Sequence, residues 1–297
     1  MAAILATIAF VAGACGDAPP GSIGPRPDPG ALRVVTTTTV FADIVRSIGG
    51  TRTDVRSIVP PGVGPEDYEA KPDDARSLAD AQLIVSGGVG LDDFLNRLLS
   101  SGSGGTTPRL VLGDGLAAID VDGEPNPHFW LDPTIVRSGY VPKIVAALSA
   151  AAPADRATFE SNAAAYATVL DGLDAELLAQ AASVPAGNRK LVTFHDAFPY
   201  FARHFGFELV GVVVANVGQE PNAAELAALV EKVKATGAKA VFSEAQFNPK
   251  LAQTLADEAG VSKVVTTLYN DALGAAPADT YPGMMRWNMS QIVEVLR

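Results

Sequence analysis

The sequence predicts two α/β lobes with parallel sheets, joined by one long helix. Two observations support this prediction. Short β-rich runs alternate with helical patterns along most of the chain, which is typical of parallel α/β folds. One uninterrupted helical stripe lies near the middle, with a strand-rich unit on either side. The pattern leaves one alternative open, a single continuous sheet with a long helix on its surface.

Short runs rich in β-branched and aliphatic residues predict the strands. They cover residues 34–38, 55–59, 83–86, 110–112, 191–194, 209–213, 240–243 and 264–268. Helical patterns lie between most of them, at residues 41–48, 91–99, 223–236 and 249–259.

The central stripe covers residues 153–184, where apolar side chains recur every three or four positions. Pro153 suits the first helical turn, whereas Pro185 and Gly187 end the helix. About 30 residues at 1.5 Å each give roughly 45 Å, enough to cross a whole domain. We therefore expect a first lobe at 32–150, a linking helix at 151–187 and a second lobe at 188–297. The stripe consists of Phe159, Ala163, Tyr166, Leu170, Leu173 and Leu177.

The N-terminal segment contains the only cysteine of the chain, Cys15. About 13 almost wholly apolar residues precede it, too few to span a bilayer but suited to a signal peptide. The small residues before Cys15 resemble a lipobox, although no Lys or Arg precedes the apolar run and Ala12 replaces the usual Leu. We expect a signal peptide at 1–15, acylation of Cys15 and a Pro/Gly-rich tether at 16–31. The alternative is a frayed apolar terminus with an incidental thiol.

Composition excludes several classes of protein. The formal net charge is −11 and no basic run occurs, so a nucleic-acid partner is not expected. A single cysteine excludes a disulfide framework and a cysteine-ligated zinc or iron–sulfur site. The sequence contains no P-loop, HExxH or G-x-S-x-G motif, which argues against an ATPase, a metalloprotease of that type and an α/β-hydrolase.

Titratable residues closely follow several predicted strands, where open α/β sheets bind ligands. An isolated histidine is more often structural than a ligand, and a loop carboxylate is usually only solvated. His204, nine residues after His195 on a predicted helix, faces the opposite side and is expected to be a surface or supporting residue. The candidates are Glu66, His195, Glu244 and Asp271 after strands, and His128 in a loop before the Asp132-Pro133 helix start.

Six segments together resemble the zinc/manganese-binding family of ABC-transporter solute-binding lipoproteins, cluster A-I. The similarity runs from about Leu32 to the C-terminus in the same order. The segments read PPGVGPEDYEAKPDDARSLADAQLIVSGGVGL, NPHFWLDP, FHDAFPYFARHFG, GQEPNAAEL, VFSEAQ and LYNDALG…TYPGMMRWNMSQIVEVL.

The resemblance implies two Rossmann-like lobes, a rigid linking helix and an interlobe metal site made by Glu66, His128, His195 and Asp271. Glu244 would support the site by hydrogen bonding. Glu66 stands where the family usually has a histidine, so Asp67 or a water could take that position instead. The chain also lacks the His-rich insertion of many zinc-uptake members.

The implied function is capture of one divalent ion, Mn²⁺ or Zn²⁺ with Fe²⁺ also compatible, and its delivery to an ABC importer. The implied partners are a permease, a separate ATPase subunit and the membrane that holds the lipid anchor. We expect an extracytoplasmic monomer without enzymatic activity. The competing class is a secreted metal-dependent hydrolase that keeps an open water position at the same metal. A binding protein for a chelate or oxyanion would need a basic cleft, and the sequence predicts none.

Overall fold

A computed structural model describes residues 26–66, 68–100, 105–214, 217 and 221–297. The expected signal peptide with Cys15, most of the expected tether and Asp67 lie outside the described residues. The described chain forms two separate parallel sheets of four strands and one two-stranded hairpin. The prediction of a two-lobed α/β fold is therefore confirmed, and the alternative of one continuous sheet is wrong.

The first sheet has the strand order β2-β1-β3-β4, and all its strands are parallel. Three helices accompany it: α1 (Thr39–Gly49), α2 (Pro72–Asp80) and α3 (Asp93–Ser100). Thr38 caps α1, since its hydroxyl accepts a hydrogen bond from the Phe41 N–H. The strands are β1 (Leu32–Thr36), β2 (Thr53–Ser57), β3 (Leu83–Ser86) and β4 (Arg109–Val111).

A short antiparallel hairpin follows, made of β5 (Asp120–Val121) and β6 (Glu124–Pro125). The chain then enters α4 (Pro133–Ile135), where the Asp132 side chain caps the helix by accepting from the Thr134 N–H. A π-helical turn at Val136–Tyr140 leads into α5 (Val141–Ala151).

The linking helix is α6 (Arg156–Ala182), which has 27 residues and spans about 40 Å. One stripe of the helix is buried and packs against α1 and α5. All six residues of the predicted stripe are buried in it. Among the described residues no helix is both long enough and apolar enough to cross a membrane.

The second sheet has the order β10-β9-β7-β8 and is also entirely parallel. Its strands are β7 (Lys190–His195), β8 (Glu208–Val214), β9 (Ala240–Glu244) and β10 (Lys263–Leu268). Its helices are α7 (Pro199–Phe205), α8 (Ala223–Thr236), α9 (Lys250–Ala259) and α10 (Tyr281–Leu296). The last helix also packs against α6 and α1, so one hydrophobic core joins the linking helix to both sheets.

Candidate metal centre

His128 lies in the loop between the hairpin and α4, and only 2% of the residue is exposed. Asn126 orients it: Oδ1 of Asn126 accepts a hydrogen bond from the His128 backbone N–H and lies 3.1 Å from the ring nitrogen Nδ1. Because an amide oxygen can only accept, Nδ1 of His128 is the donor in this contact. The ring packs against Trp130, with 5.1 Å between ring centroids.

His195 is the last residue of β7, and Glu244 is the last residue of the neighbouring β9. Parallel pairing brings these two strand ends to the same edge of the sheet. Nδ1 of His195 lies 3.1 Å from Oε1 of Glu244, and both residues are buried. Nε2 of His195 points to the other side, 3.6 Å from Oδ2 of Asp271.

Asp271 follows β10 and is only 1% exposed. Its Oδ2 accepts a hydrogen bond of 2.8 Å from the Gln246 side-chain amide. Its Oδ1 lies 3.3 Å from Nε2 of His128. Neither Oδ1 of Asp271 nor Nε2 of His128 forms a hydrogen bond with any residue that the structure describes.

Glu66 comes from the loop after β2 and is the most exposed of the four candidates, with 26% of its side chain accessible. Its Oε1 lies 4.0 Å from Nε2 of His128. Glu66, His128 and His195 each offer one ligand atom, and these three atoms lie within 4.8 Å of one another. The structure thus brings the four sequence candidates together and places Glu244 behind His195.

His204 lies apart from this cluster, on α7 beside the linking helix. Its Nε2 contacts the Asp174 carboxylate of α6, and its Nδ1 lies 3.6 Å from Asp132. It is a partly exposed residue that joins elements of the scaffold.

The carboxylates dominate the electrostatics of the cluster. Burial alone would lower the pKa of His195, but Glu244, Asp271 and Glu66 outweigh burial and raise the pKa to about 10. The Asn270 amide nitrogen also lies close to this ring, 3.2 Å from Nε2 of His195. Burial would raise the pKa of Asp271, but the two imidazoles outweigh it and hold that pKa below its usual range.

Sequence reasoning missed three amide side chains that shape the site. Asn126 orients His128, Gln246 holds Oδ2 of Asp271, and Asn270 Oδ1 accepts from the Asp271 N–H at 2.7 Å. Asn270 and Gln246 lie within two residues of Asp271 and Glu244 in the sequence, which is the one signal that could have marked them.

The donor set fits a first-row divalent cation. Imidazole nitrogen and carboxylate oxygen are its ordinary protein ligands. Nε2 of His128 and Oδ1 of Asp271 face each other at 3.3 Å, so a nitrogen and an oxygen donor are both available to one shared cation. The surroundings of Nδ1 also fit a metal site. Metal-binding histidines commonly donate the Nδ1 proton to an oxygen, and here Nδ1 of His128 lies beside Asn126 Oδ1 and Nδ1 of His195 beside Glu244 Oε1.

Two lobes around a buried cluster of imidazoles and carboxylates are the architecture of a metal-binding protein. The family described as "Zinc-uptake complex component A periplasmic" (ZnuA) matches residues 34–295, and the chain belongs to this family.

Individual relatives agree with this assignment. The chain is similar to the manganese-binding lipoprotein MntA of Halalkalibacterium halodurans, with 30% identity covering 99% of this chain and 97% of the relative. It is also similar to the manganese ABC transporter substrate-binding lipoprotein PsaA of Streptococcus pneumoniae, with 27% identity covering 89% of each chain. Members of this family are transport substrate-binding proteins and not enzymes, and the hydrolase alternative is not supported.

Solved structures give the same picture. The periplasmic zinc-binding protein TroA of Treponema pallidum superposes with a TM-score of 0.83 at 30% identity, covering 90% of this chain and 99% of TroA. A manganese-bound periplasmic metal-binding protein from Candidatus Liberibacter asiaticus superposes with a TM-score of 0.79 at 26% identity. That match covers 90% of this chain and 100% of the other.

Proposed function

We propose that this protein is the extracytoplasmic binding component of an ABC importer and that Glu66, His128, His195 and Asp271 hold its cargo, one divalent transition-metal ion. The main supporting observation is the convergence of the ligand atoms: His128 Nε2 lies 3.3 Å from Asp271 Oδ1, and one ligand atom each from Glu66, His128 and His195 lie within 4.8 Å of one another. A cation between them can bind these atoms together.

The proposed cargo is Mn²⁺ or Zn²⁺. Two imidazoles suit either ion, whereas two carboxylates add hard oxygen donors that favour Mn²⁺ more than a third imidazole would. The general order of affinities still places Zn²⁺ above Mn²⁺ at one site. We therefore expect binding of both ions in vitro, with zinc bound more tightly. The names of the relatives, which include both manganese- and zinc-binding proteins, support this range.

The proposed partners are a membrane permease and a separate ATPase subunit, since relatives are ABC transporter substrate-binding proteins. The permease must distinguish the loaded from the metal-free form, which requires a differential affinity for the two. We further propose that the protein is a monomer whose lobes correspond to residues 32–150 and 188–297, with the linker at 151–187.

Metal-dependent thermal stability tests the site. A ligand that binds only the folded state adds RT ln(1 + [L]/Kd), about 4 kcal/mol at a thousandfold excess over Kd. Adding Mn²⁺ or Zn²⁺ should raise the melting temperature of the wild type. His128→Ala, His195→Ala and Asp271→Ala should each lose most of that increase.

His204→Ala is the matched control, because it removes a histidine outside the cluster and should keep the full metal-induced increase. A variant at one of the proposed ligands that keeps the full increase would remove that residue from the site.

Membrane attachment is proposed to occur through Cys15, and the relatives' description as lipoproteins supports it. The full-length protein should incorporate labelled acyl chains and partition into detergent, and Cys15→Ala should do neither. Equal labelling of the alanine variant would contradict the anchor.

A further inference from the structure

The turn that follows β9 contacts two of the proposed ligands. Glu244, the last residue of β9, lies 3.1 Å from Nδ1 of His195. Two residues later, the Gln246 side-chain amide donates a hydrogen bond of 2.8 Å to Oδ2 of Asp271. One short segment thus contacts both an imidazole and a carboxylate of the proposed metal centre.

The backbone and an aromatic contact hold this turn in place. The Ala245 N–H donates to the last carbonyl of β10 at 2.9 Å, and the Phe247 N–H donates to the Glu244 carbonyl at 3.1 Å. The Phe247 ring stacks on Phe194, with 4.6 Å between ring centroids. Because both chain neighbours of Gln246 are fixed, its amide is positioned before an ion binds.

The loop that carries Glu66 passes close to the same amide. A Cβ atom added at Gly64 would lie 3.3 Å from Nε2 of Gln246 and 3.8 Å from Oδ2 of Asp271. The amide and the carboxylate are therefore packed beside a loop of the first lobe at a residue that has no side chain. This packing limits how far either group can turn.

The hydrogen bond makes the two oxygens of Asp271 unequal. Oδ2 accepts from Gln246, whereas Oδ1 faces Nε2 of His128 at 3.3 Å. An ionised carboxylate offers about four lone-pair sites on its two oxygens, and a hydrogen-bond donor and a metal ion compete for those of the same oxygen. Oδ1 is therefore the stronger metal ligand of the two.

We propose that Gln246 limits Asp271 to one metal-binding oxygen and thereby favours Zn²⁺ over Mn²⁺. This inference rests on the proposed function and adds a positioning residue that sets metal preference. One atom from each of the four proposed ligands gives a four-coordinate site, the number typical of protein-bound zinc. Manganese commonly takes six ligands, so it gains more than zinc does from a second oxygen of Asp271.

Gln246→Met tests the proposal, because it keeps the length of the side chain and removes the amide donor. Oδ2 of Asp271 then becomes free to bind the ion as well. Loss of a residue that orients a metal ligand typically costs about 10-fold to 100-fold in metal affinity. Zinc affinity should fall by about 10-fold, whereas the added oxygen should keep manganese affinity within about twofold of the wild type. Competitive titration should therefore show the ratio of zinc to manganese affinity narrowing.

Cobalt as a probe distinguishes a change in coordination from a general loss of structure. Co²⁺ absorbs visible light strongly when it is four-coordinate and more weakly when it gains further ligands. The wild type should give the strong spectrum and Gln246→Met the weaker one. Gly64→Ala leaves Gln246 itself unchanged but places a Cβ atom 3.3 Å from its amide nitrogen. It should shift the affinity ratio and the spectrum in the same direction by a smaller amount.

Gln253→Met is the matched control, because Gln253 on α9 also donates to an aspartate at 2.8 Å but at an exposed position. It should leave the affinity ratio and the cobalt spectrum as in the wild type. An unchanged ratio or a retained four-coordinate spectrum in Gln246→Met would overturn the proposal. Failure of the wild type to bind any of the three ions would instead overturn the proposed function.

Discussion

His195 has carboxylates on both sides of its ring, with Glu244 at 3.1 Å from Nδ1 and Asp271 at 3.6 Å from Nε2. This arrangement is useful to a protein that must hold and release an ion. The carboxylates favour a proton on the metal-free ring, which offsets part of their negative charge before the metal arrives. A divalent ion that displaces this proton then adds one net positive charge to the cluster.

Metal binding should therefore release protons. The pKa of His195 is raised to about 10, so the metal-free ring carries its extra proton at pH 7, and an ion that bonds to Nε2 must displace it. Because the proton competes with the metal for Nε2 of His195, metal affinity should rise with pH until the pH exceeds about 10. At pH 7 we expect release of about one proton per ion, measured by calorimetry in buffers with different ionisation enthalpies.

Glu244→Gln keeps the shape of the side chain and removes the largest cause of the raised pKa, so proton release at pH 7 should fall. Identical binding heats in all buffers for the wild type would contradict this account of His195.

Glu66 should govern metal preference, because it replaces an imidazole by a hard oxygen donor. Glu66→His should widen the ratio of zinc to manganese affinity by about tenfold, the factor for about 1.4 kcal/mol of discrimination. Titration of both ions into both proteins measures the ratio. Glu69→His, the same change at an exposed position of the same loop, should leave it unaltered. An unchanged ratio in Glu66→His would place Glu66 outside the coordination sphere.

At the scale of elements, α6 connects the lobes, and its buried stripe packs against α1 and α5. Leu173 is fully buried within that stripe, whereas Val169 on the same helix is 46% exposed. Leu173→Ala should lower the free energy of unfolding of the metal-free protein by about 2–5 kcal/mol, because a cavity remains where the side chain was. Denaturant unfolding measures this.

Val169→Ala is the control and should stay within about 0.5 kcal/mol of the wild type. Equal losses in the two variants would show that the buried stripe does not govern the stability of the helix.

Strong local periodicity made several elements predictable. The ranges predicted for β3 and α8, residues 83–86 and 223–236, agree with the structure. The first strand was predicted at 34–38 but ends at Thr36, because Thr38 leaves the β-branched run to cap α1. The hairpin escaped prediction since each strand has only two residues, and α2 escaped because only Asp74 and Leu78 of it are buried.

The titratable residues of the metal centre were predictable from their positions after strands and from the family resemblance. Strand ends marked Glu66, His195 and Asp271, and the family resemblance marked these three and His128. The structure brings the four together, and their role as ligands stays a prediction. The amides around them could not be predicted, because hydrogen bonds such as that from Gln246 to Asp271 depend on tertiary placement and leave no sequence period.

At the scale of the whole molecule, the segment that carries Asp271 is fastened to the first lobe. Four hydrogen bonds cross from it to α1 and to the loop after His128, and all have buried partners. The residues that flank Asp271 are thus bonded to the first lobe, while Asp271 itself is bonded to Gln246 of the second. The bonds are Trp130 Nε1–H to Asn270 O (2.8 Å), Leu273 N–H to Thr39 Oγ1 (2.8 Å), Tyr281 N–H to Asp43 Oδ2 (2.7 Å) and Tyr281 O–H to Trp130 O (2.7 Å).

The central claim is that one divalent ion binds between the lobes at Glu66, His128, His195 and Asp271. Anomalous diffraction from crystals grown with Zn²⁺ or Mn²⁺, recorded on both sides of the metal's absorption edge, tests it most directly. We expect one strong peak per molecule, at about 2.0–2.2 Å from Nε2 of both histidines for zinc and within bonding distance of the Asp271 and Glu66 carboxylates. A strongest peak elsewhere, or a bound ion that contacts neither histidine, would contradict the claim.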